Sequence, residues 1–113
     1  MSNLLQGKVV VVTGAASGIG RAIAIGAARH GAKAVFVSDV TETAREGGGP
    51  TTSEIEPLGV ATRFVRTDVS KREDVNALIA ATEEFGGVDV MVCNAGITLR
   101  EDSGHRVDEY SCG

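Results

Sequence analysis

A chain of 113 residues allows one small domain with a modest core. Its 42% apolar share argues against disorder, and its net charge of −4, with the basic residues scattered, gives nucleic acid or an anionic membrane little to hold. No apolar run approaches the ~18 residues that read as a membrane span. Residues 1–8 lack a basic segment followed by an apolar one, so no secretory leader is expected. Cys93 and Cys112 have no CxxC spacing, and the expected setting is the reducing cytoplasm. Glycine is the outlier, at 15 residues; this is roughly twice the usual ~7%, so the backbone must turn tightly at several places.

Val9-Val10-Val11-Val12 is a β-branched apolar run, the pattern of a strand buried on both faces of a parallel sheet. Thr13-Gly14-Ala15-Ala16-Ser17-Gly18-Ile19-Gly20 follows at once. A helix is expected from Ile19 to His30, with Ile19, Ile23 and Ala27 on one face and Gly31 closing it. Residues 34–38 read as a second strand ending at Asp39. Gly47-Gly48-Gly49-Pro50 forbids a long helix there, so a short one is expected from Ser53 to Glu56, ended by Pro57 and Gly59.

Ala61 to Arg66 reads as the third strand, leading to Asp68-Val69. Ser70 and Glu73 have the spacing of a capping box, in which each side chain bonds the other's free backbone N–H. The helix they open carries Val75, Leu78, Ile79 and Thr82 on its apolar side and stops at Gly86-Gly87. Val88 to Cys93 is the fourth strand, with Cys93 expected as a buried small hydrophobe. The alternation predicts an α/β fold: a Rossmann-like three-layer sandwich whose partial parallel sheet of about four strands has helices on both faces. Residues 1–98 make up this dinucleotide-binding portion, and 99–113 read as an irregular polar tail.

The glycine loop suits a pyrophosphate. A helix N-terminus offers free N–H groups and the positive end of a dipole. Gly14, Gly18 and Gly20 each remove a Cβ where the turn, the ligand or the helix–strand packing needs room. Asp39 lies 19 residues beyond Gly20, where an acidic side chain accepts hydrogen bonds from the adenosine ribose. A carboxylate there repels a 2′-phosphate, and the loop holds no basic residue, so NAD is favoured over NADP. Asp39 could otherwise simply cap a following turn.

These features together resemble the short-chain dehydrogenase/reductase family. The resemblance rests on the spacing Gly14-xxx-Gly18-x-Gly20 behind Thr13, on Asp68-Val69, and on Asn94-Ala95-Gly96, and it covers about residues 4–99. It implies an NAD(P)-dependent oxidoreductase moving hydride between nicotinamide and an alcohol or carbonyl. By the same resemblance Ser17 belongs to the cofactor loop and Ile19 lies near the nicotinamide. Thr13 braces the loop toward Asn94, Asp68 with Val69 contacts adenine, and Asn94, Ala95 and Gly96 line the cofactor cleft. Ile19 could equally be a core residue, Thr13 a strand-end hydroxyl and Asp68 a turn cap.

The resemblance also implies a catalytic serine, and a tyrosine with a lysine four residues later, on elements well beyond Asn94. Tyr110 is the only tyrosine, and three residues follow it. It reads as a tail residue, so no catalytic residue is assigned. His105, Asp108 and Cys112 lack metal-ligand spacing, and no metal is expected. The expectation is an incomplete chain, inactive alone, that holds the dinucleotide and would meet a small alcohol or carbonyl substrate only at full length. The alternative is a catalytically inactive nucleotide-binding module, or a regulatory or non-functional truncated product. An exposed edge on the fourth strand would invite self-association.

Overall fold

The structure is a computed structural model and describes residues 4–44 and 47–94. Four parallel strands form one sheet: β1 (Val9–Thr13), β2 (Ala34–Asp39), β3 (Ala61–Arg66) and β4 (Val90–Cys93). Their spatial order is β3-β2-β1-β4. The helices are α1 (Gly18–Arg29), α2 (Thr51–Ile55) and α3 (Arg72–Ala81), with 3-10 turns at Glu56–Leu58 and Thr82–Phe85. The chain thus leaves β1 toward β2 and β3, then returns to the other side of β1 for β4. In such sheets ligands gather at the carboxyl ends of the strands where the direction of winding reverses.

The valine run explains the centre. Val10 and Val12 pack on one face with Val35, Val37, three α1 alanines (Ala24, Ala27, Ala28) and Ile55 of α2. Val9 and Val11 pack on the other face with Ala34, Phe36 and Leu78 of α3. Both faces are therefore covered, giving the three layers expected. Each fully buried valine contributes roughly 1.5–3 kcal/mol relative to exposure. The small residues of α1 let its axis lie close to the sheet, and Gly31, at φ 92°, ends it. Among the described residues no helix is long and apolar enough to cross a membrane.

Several local expectations shift. The short helix begins at Thr51 rather than Ser53, and Pro57 lies inside the 3-10 turn that follows it. The fourth strand begins at Val90 rather than Val88. The capping box does not form: α3 is preceded by Lys71, with no side-chain cap. The Ser70 hydroxyl instead donates to Asp68 Oδ1 at 2.6 Å. Ile19 is 73% exposed, so it does not share the inward face of Ala27. Cys93 is half-buried and carries no free thiol, unlike the buried small hydrophobe expected.

Candidate dinucleotide site

The sequence-selected residues within the described range converge on one end of the sheet. Gly14, Ser17, Gly18, Ile19 and Gly20 lie between β1 and α1; Asp39 ends β2; Asp68 and Val69 follow β3; Asn94 follows β4. Parallel pairing brings them together, because Thr13, Ser38 and Cys93 are level in the register and Arg66 is level with Asp39. Ala95, Gly96 and the tail from 99 onward, with His105, Asp108, Tyr110 and Cys112, lie outside the described residues.

Two glycines of the loop have different reasons to be glycine. Gly20 is buried, and a Cβ there would collide with the Gly14 carbonyl oxygen and lie 2.8 Å from the Asn94 amide nitrogen. It sets how closely α1 approaches the strand ends. Gly18 is exposed with φ +60°, a left-handed backbone, and a Cβ there would meet nothing within 4 Å. Gly18 therefore serves the turn and leaves open space at the start of α1. The first turn of α1 holds no acidic residue and Ser17 makes no side-chain cap. A helix start of this kind presents the positive end of its dipole to an anion.

The loop is braced on three sides. From β4, Asn94 donates its backbone N–H to Thr13 Oγ1 at 2.9 Å and its side-chain Nδ2 to the Gly14 carbonyl at 3.2 Å. Thr13 is thus more than a strand-end hydroxyl. From β2, the Ser38 carbonyl accepts from Ala15 N at 3.0 Å. Asp39 Oδ2 accepts from Ala16 N at 2.9 Å, and its Oδ1 accepts from Val40 N at 2.7 Å. The Asp39 carboxylate both ties the loop and stands half-buried beside it.

The third brace was not legible in the sequence. Thr51, with no exposed surface, donates its hydroxyl to the Ala15 carbonyl at 2.7 Å. Arg21 of α1 donates to the Gly49 carbonyl at 2.9 Å and approaches Glu54 at 3.6 Å. The sequence marks Thr51 only by its place just after Pro50, two residues ahead of the helix expected from Ser53.

Asp68 caps its own turn. Its Oδ1 accepts from Ser70 N at 3.0 Å and from the Ser70 hydroxyl at 2.6 Å. These bonds hold its carboxyl below the usual 3.8 against the opposing effect of burial, with lesser help from the charges of Lys71 and Arg66. Its ionised form is favoured, and its other oxygen has no hydrogen-bond partner among the described residues. Val69, next to it, is half-buried. No group of three or more His, Cys, Asp or Glu side chains gathers in metal-binding geometry among the described residues.

Taken together, the open space at Gly18, the uncapped start of α1 and the carboxylate of Asp39 beside it suit an anionic diphosphate with a ribose on one flank.

Comparison with known proteins agrees in kind. The family model described as short chain dehydrogenase matches residues 8–110. L-rhamnose 1-dehydrogenase (NAD(P)(+)) from Sphingomonas sp. (strain SKA58) is 50% identical over 98 residues, covering 83% of this chain and 36% of that protein. The 3beta-hydroxysteroid dehydrogenase 1 of Eggerthella lenta is 44% identical over 108 residues, covering 94% of this chain and 40% of that protein. Among solved structures, a short-chain type dehydrogenase/reductase from Mycobacterium marinum superposes with a TM-score of 0.72 at 32% identity, covering 96% of this chain and 45% of that one. The chain thus spans less than half the length of these relatives.

Proposed function

Because this chain belongs to the short-chain dehydrogenase family, whose members bind a nicotinamide dinucleotide and a substrate, we propose that residues 1–98 are its dinucleotide-binding portion and hold NAD in preference to NADP. The observation that carries this reading is the meeting of the Gly18 turn with the Asp39 carboxylate through Ala16 N. Gly14, Ser17, Gly18, Ile19 and Gly20 would surround the pyrophosphate. Asp39 would accept from the adenosine ribose with the lone pairs its two backbone donors leave. Asp68 and Val69 would face the adenine. Asn94, with Ala95 and Gly96, would border the cleft toward the nicotinamide.

When bound, the dinucleotide supplies the hydride acceptor or donor for an alcohol or carbonyl. The residues of this chain bind and orient. Nothing in the 113 residues pairs a tyrosine with a lysine four positions on, so we assign no catalytic proton transfer to them.

Titration calorimetry of NAD into the purified 113-residue chain, with its fold checked by circular dichroism, tests this. Saturable heat, and a melting temperature that climbs with NAD concentration, is the expected result. A folded sample that takes up no NAD at millimolar concentration would sink the proposal.

A further inference from the structure

Arg66 was not singled out by the sequence, since it lies 27 positions after Asp39. Strand pairing makes the two residues neighbours: β2 and β3 are in register with Asp39 level with Arg66. Side chains alternate along a strand. Phe64 packs with the α1–α2 face, so Arg66, two residues on, shares that face. Val37 packs on the same face, and Asp39 follows it by two and bonds the glycine loop. The carboxylate and the guanidinium therefore flank one spot at the carboxyl end of the sheet.

The Arg66 side chain is also held in place. Its Nε donates to the Val40 carbonyl at 2.9 Å, which fixes the guanidinium beside the residue that follows Asp39. Both Nη groups make no hydrogen bond among the described residues, and Arg66 is exposed. The Arg66 charge also favours the ionised form of Asp68 slightly. Asp39 already receives two backbone donors, which draw off part of its negative field.

We infer that Arg66 is a specificity-determining residue that pairs with a 2′-phosphate on the adenosine ribose, so that the site accepts NADP as well as NAD. A guanidinium presents two parallel N–H donors to a phosphate, and with Nε anchored the Nη pair is left for that purpose. The carboxylate of Asp39 serves the unphosphorylated ribose and Arg66 the phosphorylated one, so discrimination between the two dinucleotides is narrow. This inference rests on the dinucleotide seat proposed above and concerns only the ribose substituent.

NAD and NADP differ only by that phosphate, and calorimetry of both against the full chain and against Arg66→Gln and Arg66→Lys isolates its effect. The unaltered chain is expected to bind the two within about tenfold of each other. Arg66→Gln should weaken NADP roughly tenfold, the size of one charge-assisted pair of about 1.4 kcal/mol, and leave NAD within about twofold. Arg66→Lys should restore part of the loss. Added salt should weaken NADP more than NAD in the unaltered chain, but equally in Arg66→Gln. If NAD binds while NADP does not, or Arg66→Gln weakens both alike or neither, the inference fails and the seat stands. If a folded chain binds neither, both fail.

Discussion

Thr51 and Ala15 lie 36 positions apart, and a 2.7 Å hydrogen bond from the threonine hydroxyl to the alanine carbonyl joins them where water does not reach. That bond fixes the carbonyl of the peptide whose N–H, at Ala16, donates to Asp39 Oδ2, so one peptide of the glycine loop is held from both sides. Thr51→Val keeps the shape and removes the donor. It should cost about 1–3 kcal/mol, the range for leaving a buried carbonyl without its partner, read as a shift in urea midpoint with unchanged slope. Thr51→Ser should recover most of it. Equal stability of the valine and serine variants would show that the hydroxyl does not matter.

The two loop glycines should fail differently when given a methyl group. At Gly20 the methyl meets the Gly14 carbonyl and the Asn94 amide, so Gly20→Ala should lower stability by roughly 1–3 kcal/mol through overpacking and lower NAD affinity with it. At Gly18 there is space but a φ of +60°, so strain of about 1–2 kcal/mol is the main structural cost. The added methyl there intrudes on the proposed pyrophosphate space. Gly18→Ala should therefore lose more NAD affinity per unit of lost stability than Gly20→Ala does. Melting curves and calorimetry on the two proteins give the comparison, and the reverse ranking would contradict these roles.

Asp68 gives a pH signature. Its carboxyl sits below 3.8 in the folded chain because Ser70 donates to it twice. A group lowered on folding contributes stability that is complete above its unfolded pKa, ~3.9. That contribution fades as pH falls through the lower folded value. Asp68 is half-buried beside an open surface, and solvent screening keeps the contribution small. Following the Asp68 carboxyl carbon by NMR during acid titration should give a midpoint below 3.8. Ser70→Ala should move it upward by removing the hydroxyl donor. A midpoint at the ordinary value in the unaltered chain would refute the bond.

Much of the fold was legible because its signals are local. The valine run, the glycines behind it, Gly31 at a left-handed helix end and the length of residues 61–66 each specify their own element. The order of elements then implied the parallel sheet. The capping box misled because Ser70 had a nearer partner: a carboxylate two residues back competes for the hydroxyl, and α3 starts after Lys71 instead. Ile19 misled because helical spacing shows which residues share a face but not whether the first turn has anything to cover it. At the site, Gly18, Gly20 and Asp39 announced themselves by spacing, and Asn94 through the family resemblance. Thr51 and Arg66 did not, since each acquires its position through tertiary contact: Thr51 by α2 docking under the loop, Arg66 by the register of β3 on β2.

The bonds from Asn94 to Thr13 and Gly14 cross 81 and 80 positions of sequence. A contact of that span forms only when β4 has docked on β1, a slow, late closure compared with the turn of α1 itself. The glycine loop therefore has its floor only in the fully assembled sheet. A dinucleotide that binds there selects molecules in which β4 has already closed. It should protect the amides of Val90–Cys93 from hydrogen exchange, although those amides lie in a strand and not in the loop. Cofactor and fourth strand are coupled in this way: whatever loosens one empties the other.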